Sequence, residues 1–273
     1  MRKLWITLTI MLFCKLSFAQ YYAVLVNEKV YADGKLIKKG QQIDVSAKLK
    51  FSSQKAYAHV ISPKSGQFVL TGKKVKKNKK GEFFSALKEA IIPQDQFQSA
   101  TTRSRLSFES TNFEDHYDLK AFFRDKLVFT DTLAFTFSSR RYPLDEGNYF
   151  VVRHLINDEV VEKILCSFKD TTLLPPEILH HPNGTDLSGQ IVSSELIHVN
   201  TTSDKETPFG PFKLRFLSQK EQEELRKELE ILYLHLSPKS LDDFINRHAS
   251  PFLDLYYGSF IHEDLLSIVK DIK

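Results

Sequence analysis

Apolar residues shift from mostly strand-like to sustained helical spacing near Ser218, and the shift divides this chain into a β-forming body and a helical end. Before that point, short runs rich in Val, Ile, Phe and Tyr alternate with turn residues, the pattern of strands. Beyond it, Leu225, Leu229, Leu232 and Leu236 recur three or four apart on one helix face. Ser218 and Glu221 form a capping box ahead of them, the reciprocal pairing that starts a helix. Ser237-Pro238 and Ser250-Pro251 each predict a further helix start, and Gly258 a helix end. A last helix is expected over residues 263–273, with Leu265, Leu266, Ile268 and Val269 inward.

The first twenty residues bear on compartment rather than fold. Arg2 and Lys3 precede an apolar run from Leu4 to Cys14, and Ser17-Phe18-Ala19 offers small residues at the positions a signal peptidase reads. The run is about half of the ~20 residues that a spanning helix needs, so a cleaved leader over residues 1–19 is expected, not a retained anchor. Phe13 stands where a small residue would precede a lipidated Cys14, which argues against lipidation. Removing the leader takes Arg2, Lys3 and Lys15 from 38 basic residues set against 34 acidic ones, so the body is nearly neutral and a general nucleic-acid role is not expected. It also removes one of 2 cysteines, leaving Cys166 alone, so core packing must do what disulfides do elsewhere. The 22 Phe and 10 Tyr supply that core.

Within residues 20–72 the strand signals are dense. Tyr22 to Val26 is a short apolar run, Ala32-Asp33-Gly34-Lys35 carries an Asp-Gly hairpin pair, and Ala56, Ala58 and Val60 alternate with Tyr57 and His59. Ser62-Pro63-Lys64-Ser65-Gly66 then turns the chain into Phe68-Val69-Leu70. Short strands with tight turns predict a small β-roll or barrel. The stretches Leu36-Ile37-Lys38-Lys39-Gly40-Gln41-Gln42-Ile43, Leu49-Lys50-Phe51, Ala56-Tyr57-Ala58-His59-Val60 and Gly66-Gln67-Phe68-Val69-Leu70 resemble the FecR-like β-domain of Gram-negative envelope proteins. The resemblance spans residues 22–72 and departs from the family at Gln41, where an acidic residue is usual. It implies a fold and an envelope location. It does not imply the family's signal relay, which needs a membrane-anchored chain.

Residues 73–115 read as a Lys-rich linker with one short helix over residues 82–92, ended by Pro93. A second β-rich region fills residues 116–217, with runs at 127–129, 133–137, 149–152 and 160–168 and a turn at Asn157-Asp158. It predicts an Ig-like β-sandwich. The fold class is therefore α+β: a small N-terminal β-roll or barrel, a central Ig-like sandwich, and a three-helix segment over residues 218–273.

Chemistry-bearing patterns are sparse. Lys73, Lys74, Lys76, Lys77, Lys79 and Lys80 form a charge block that is either a solvated linker or a grip for an anionic glycolipid or polysaccharide. Without interleaved aromatics the block is no base-stacking platform. Cys166 lies in a strand-like run and is expected to pack as a small apolar residue, not to act as a nucleophile. His180-His181 is an adjacent pair whose side chains diverge on extended backbone, a poor chelate even with Asp186, Glu195 and His198 nearby in sequence. Asp242-Asp243 and Glu263-Asp264 sit in helix first turns, where the helix dipole accounts for them. There is no nucleophile elbow and no phosphate-binding glycine loop, and no cofactor or metal is expected. The reading that follows is an exported, non-enzymatic scaffold or adaptor, periplasmic or on the outer surface. Its expected partner is an envelope protein, with no transmembrane helix once the leader is gone. The alternatives are an exported hydrolase of envelope polymers and an anion-binding surface protein acting through the lysine block.

Overall fold

The computed structural model describes residues 20–72, 112–113, 116–123, 126–181, 183–270 and 272. The protein is mostly β-sheet with a helical C-terminal segment, an α+β architecture. The described residues divide into two compact units: one holds the N-terminal strands and residues 230–238, the other holds those from 112 to 229 and from 239 onward.

In the first unit, β1 (Tyr21–Asn27), β4 (Gln42–Ile43), β6 (Tyr57–Ser62) and β7 (Gly66–Thr71) form an antiparallel sheet in the order β4-β1-β6-β7. A smaller sheet orders β3 (Lys35–Leu36), β2 (Val30–Ala32) and β5 (Leu49–Phe51) as β3-β2-β5. Asp33 and Gly34 take left-handed φ values of 50° and 79° at the β2–β3 turn, the conformation that Asp-Gly accepts at low cost. The two sheets enclose Ala23, Val30, Ile43, Leu49, Ala58, Val60, Phe68 and Leu70. Strand β6 departs from the expected alternation, since His59 and Ile61 on its other face are buried as well. That face is covered: its neighbour Tyr22, opposite Ile61 in register, stacks on His235 at 3.6 Å between ring centroids.

The second unit has two sheets built around one aromatic core. The first orders β13 (Cys166–Phe168), β14 (Thr171–Leu174), β10 (Leu133–Phe137) and β8 (Asn112–Phe113) as β13-β14-β10-β8. The second orders β12 (Glu159–Ile164), β11 (Asn148–Ile156), β15 (Ile191–Asn200), β16 (Lys205–Phe216), β9 (Lys126–Phe129) and β17 (Ser259–Phe260) as β12-β11-β15-β16-β9-β17. Pairs β8–β10, β9–β16 and β9–β17 are parallel. Phe113, Phe129, Phe135, Phe137, Phe150, Phe209 and Phe212 meet between them with helix α1 (His116–Phe122), and Phe137 stacks on Phe150 at 4.2 Å. With Phe123 and Tyr142, nine buried aromatic rings in one cluster give this unit its main apolar drive.

Helix α2 (Gln219–Leu236) starts at the anticipated capping box: the Ser218 N–H donates to Glu221 Oε2 at 3.0 Å, and the Glu221 N–H donates to Ser218 Oγ at 3.4 Å. Two expected helix starts are corrected. Ser237-Pro238 closes α2 instead of opening the next helix, because Ser237 lies at φ +47° and a residue before proline avoids the helical region. Helix α3 (Leu241–Phe244) is capped at Ser240, whose Oγ accepts the Asp243 N–H. Ser250-Pro251 is not a fresh start either, since α3 runs through a π-turn (Ile245–Ala249) into α4 (Ser250–Tyr256). The wider turn accommodates a proline that has no N–H to give. Gly258 ends α4 at φ +127°, and α5 (His262–Val269) follows β17 with Leu265, Ile268 and Val269 buried and Leu266 half-buried.

Candidate functional site

Strands β12 and β13 are consecutive in the chain, yet among the described residues each is the outermost strand of a different sheet. Leu165, buried between them, is the corner at which the chain passes from one sheet to the other. The sequence builds the first edge through the Asn157-Asp158 turn, whose residues hold φ values of 48° and 68° and set a two-residue hairpin. In that register Glu159, Val161 and Lys163 direct their backbone groups toward β11, and the Leu165 N–H continues the ladder by donating to the Phe150 carbonyl at 2.9 Å. Val160, Glu162 and Ile164 therefore direct theirs away from the sheet. Val160 and Ile164 are 61% and 70% exposed, and Phe168 on β13 is 72% exposed.

Single exposed apolar side chains are ordinary, whereas several on an unpaired edge form the kind of template proteins normally blunt. The one lysine in β12 does not blunt this edge. Lys163 turns inward, where its Nζ donates to the carbonyls of Glu177 (3.1 Å) and His180 at the end of a 3₁₀ turn (Pro176–Leu179), and desolvation there lowers its pKa. Charge on the outer face comes instead from Arg153, whose guanidinium donates to Glu162 at 2.5 Å and Glu206 at 3.0 Å, with Glu195 opposite it in register.

Cys166 is exposed on β13, not packed inside as its run suggested, because Ser167 takes the inward position and bonds Thr172 at 2.8 Å. His180 pairs by an isolated bridge with Asp186, while the exposed His181 N–H donates to the Thr185 carbonyl. His198 Nε2 donates to the Pro143 carbonyl at 3.1 Å, and Asp186 accepts the Ser188 N–H at 2.8 Å. Among the described residues, no group of three His, Cys, Asp or Glu is placed to hold a metal ion. Residues Lys73, Lys74, Lys76, Lys77, Lys79 and Lys80 lie outside the described residues, as does the helix expected over residues 82–92.

Two polar groupings emerge that the sequence did not suggest. His154 Nε2 donates to the Ile178 carbonyl at 3.0 Å, which leaves Nδ1 to accept the Ser194 hydroxyl at 2.8 Å. The pair has the hydrogen bond of a serine–histidine dyad, but both residues are sealed in the core and no reactant reaches them. Burial pushes the His154 imidazole down to about 4. In the second grouping the buried Glu228 carboxylate accepts the Tyr257 hydroxyl at 2.7 Å, and the Arg215 guanidinium lies 5.4 Å over the Tyr257 ring. Burial and the neighbouring carboxylate raise the Tyr257 pKa, so the phenol stays protonated and joins α2 to the end of α4.

Among the described residues, no helix is long and apolar enough to cross a membrane. Comparison with family models, curated proteins and solved structures returns no match.

Proposed function

We propose that this chain is an exported, non-enzymatic envelope protein that serves as a scaffold or adaptor and engages a protein partner through the rim formed by β12 and β13. The observation that carries the reading is the paired edge itself: two adjacent sheet edges, one corner, and exposed Val160, Ile164 and Phe168 along it. Export is supported by the charged, apolar and small-residue order of residues 1–19. An envelope role fits the FecR-like spacing of residues 22–72, with that unit read as a small β-roll. The second unit is read as a sandwich of Ig-like architecture. Its two sheets sharing one aromatic core support that, while the parallel pairs depart from all-antiparallel Ig connectivity.

Scaffolding is favoured over hydrolysis by where the polar chemistry lies. The single serine–histidine contact described above is enclosed, and the accessible rim carries apolar side chains and ion-paired carboxylates. The test is quantitative co-isolation from envelope extracts after mild crosslinking, comparing the native chain with a Val160→Glu/Ile164→Glu variant that keeps its far-UV circular dichroism. The expected result is a reproducible partner that the variant loses. A partner set unchanged by the variant, or no reproducible partner with either chain, would count against the proposal.

A further inference from the structure

The edge of β12, which no strand pairs among the described residues, carries a charge pattern as well as an apolar one. Val160, Glu162 and Ile164 share one face, so a strand added there meets apolar, acidic and apolar side chains in turn. Two carboxylates, Glu162 and Glu206, share the one guanidinium of Arg153, and Glu195 stands opposite Arg153 in register. Pairing with a second copy of this chain is disfavoured, since antiparallel self-pairing that sets Val160 against Ile164 also sets Glu162 against its own copy.

We infer that β12 accepts an extended partner strand whose side chains alternate apolar, basic and apolar opposite Val160, Glu162 and Ile164. The inference rests on the proposed binding role and names the chemistry of the partner. Main-chain hydrogen bonds to Val160, Glu162 and Ile164 supply the attachment, and the basic residue shares the carboxylates that Arg153 alone does not neutralise.

The probe is a synthetic heptapeptide, Thr-Val-Thr-Arg-Thr-Val-Thr, symmetric so that either strand direction presents the same pattern, with a control carrying Glu for Arg. Residue-resolved hydrogen exchange is followed on the 15N-labelled protein. The Arg peptide should protect the amides of residues 160, 162 and 164 while those of 159, 161 and 163 stay protected throughout. The Glu peptide should bind roughly tenfold more weakly. Glu162→Lys should invert that order. Val160→Pro, at an edge position whose N–H faces outward, should keep the β11 protection pattern yet abolish peptide binding.

No protection of residues 160, 162 and 164 with the Arg peptide at about 1 mM would overturn the inference. Equal binding of both peptides would do so too, as would a dimer of the protein alone protecting the same amides. If co-isolation succeeds while the peptide fails, the partner docks by side chains alone; the binding role then stands and strand addition falls.

Discussion

At the residue scale, the buried histidines set how this protein responds to acid. His59 lies fully inside the first unit with Nε2 on Gln67 at 3.1 Å, and burial pushes it down to about 4; His154 reaches the same value in the second unit. Between about pH 6.5 and pH 4 the unfolded chain binds protons that the folded chain refuses, so stability falls as pH drops through that window. Each histidine should cost roughly 2 kcal/mol by about pH 5 and roughly 3 kcal/mol by about pH 4. Urea midpoints should therefore fall from about pH 7.5 to about pH 5, and unchanged midpoints would refute these protonation states. Gly258 makes an independent prediction. A Cβ there would sit 2.6 Å from the Lys126 carbonyl at a φ of +127°, so Gly258→Ala should destabilise by about 2 kcal/mol or more in thermal melts. Gly258 was legible as a helix end, whereas the need for glycine beside β9 was not, because Lys126 is remote in sequence.

At the element scale, local signals proved readable wherever neighbouring residues complete the interaction themselves. The Asp33-Gly34 turn, the Asn157-Asp158 turn and the Ser218–Glu221 box each close within four residues. Removing the box through Ser218→Ala should cost about 1 kcal/mol of stability, measured by denaturant unfolding, with the α2 fold retained. Strand β16 carries no clear strand signal for a physical reason: Pro208 and Pro211 lack ladder donors, yet the strand absorbs them at a register shift where Gly210 takes φ +89°. The Arg153–Glu162 pair, by contrast, is implied by the Asn157-Asp158 turn, since the two residues lie equally far on either side of it. The Ser237-Pro238 and Ser250-Pro251 errors share one origin: a Ser-Pro pair fits a helix start, a helix end and a widened turn alike.

At the scale of the whole molecule, the β-rich body and helical end follow from the change of period at Ser218, while the candidate site does not. Which strand is outermost depends on pairings across long stretches of chain. No local pattern marks Val160 and Ile164 as belonging to the outermost strand among the described residues. Exposure of Cys166 depends in the same way on β13 taking the outer position beside β14. Both edges lie beside the Leu165 corner, so the rim is a product of topology, and a function that uses it must be tested in place. The most direct measurement installs a photoreactive residue singly at Val160, Ile164 and Phe168, with the 79% exposed Tyr117 as a control, and irradiates living cells. A partner seated on the rim gives one discrete adduct of constant mass from the three rim positions and none from Tyr117. Adducts from Tyr117 alone, or none from the rim, would contradict that seating.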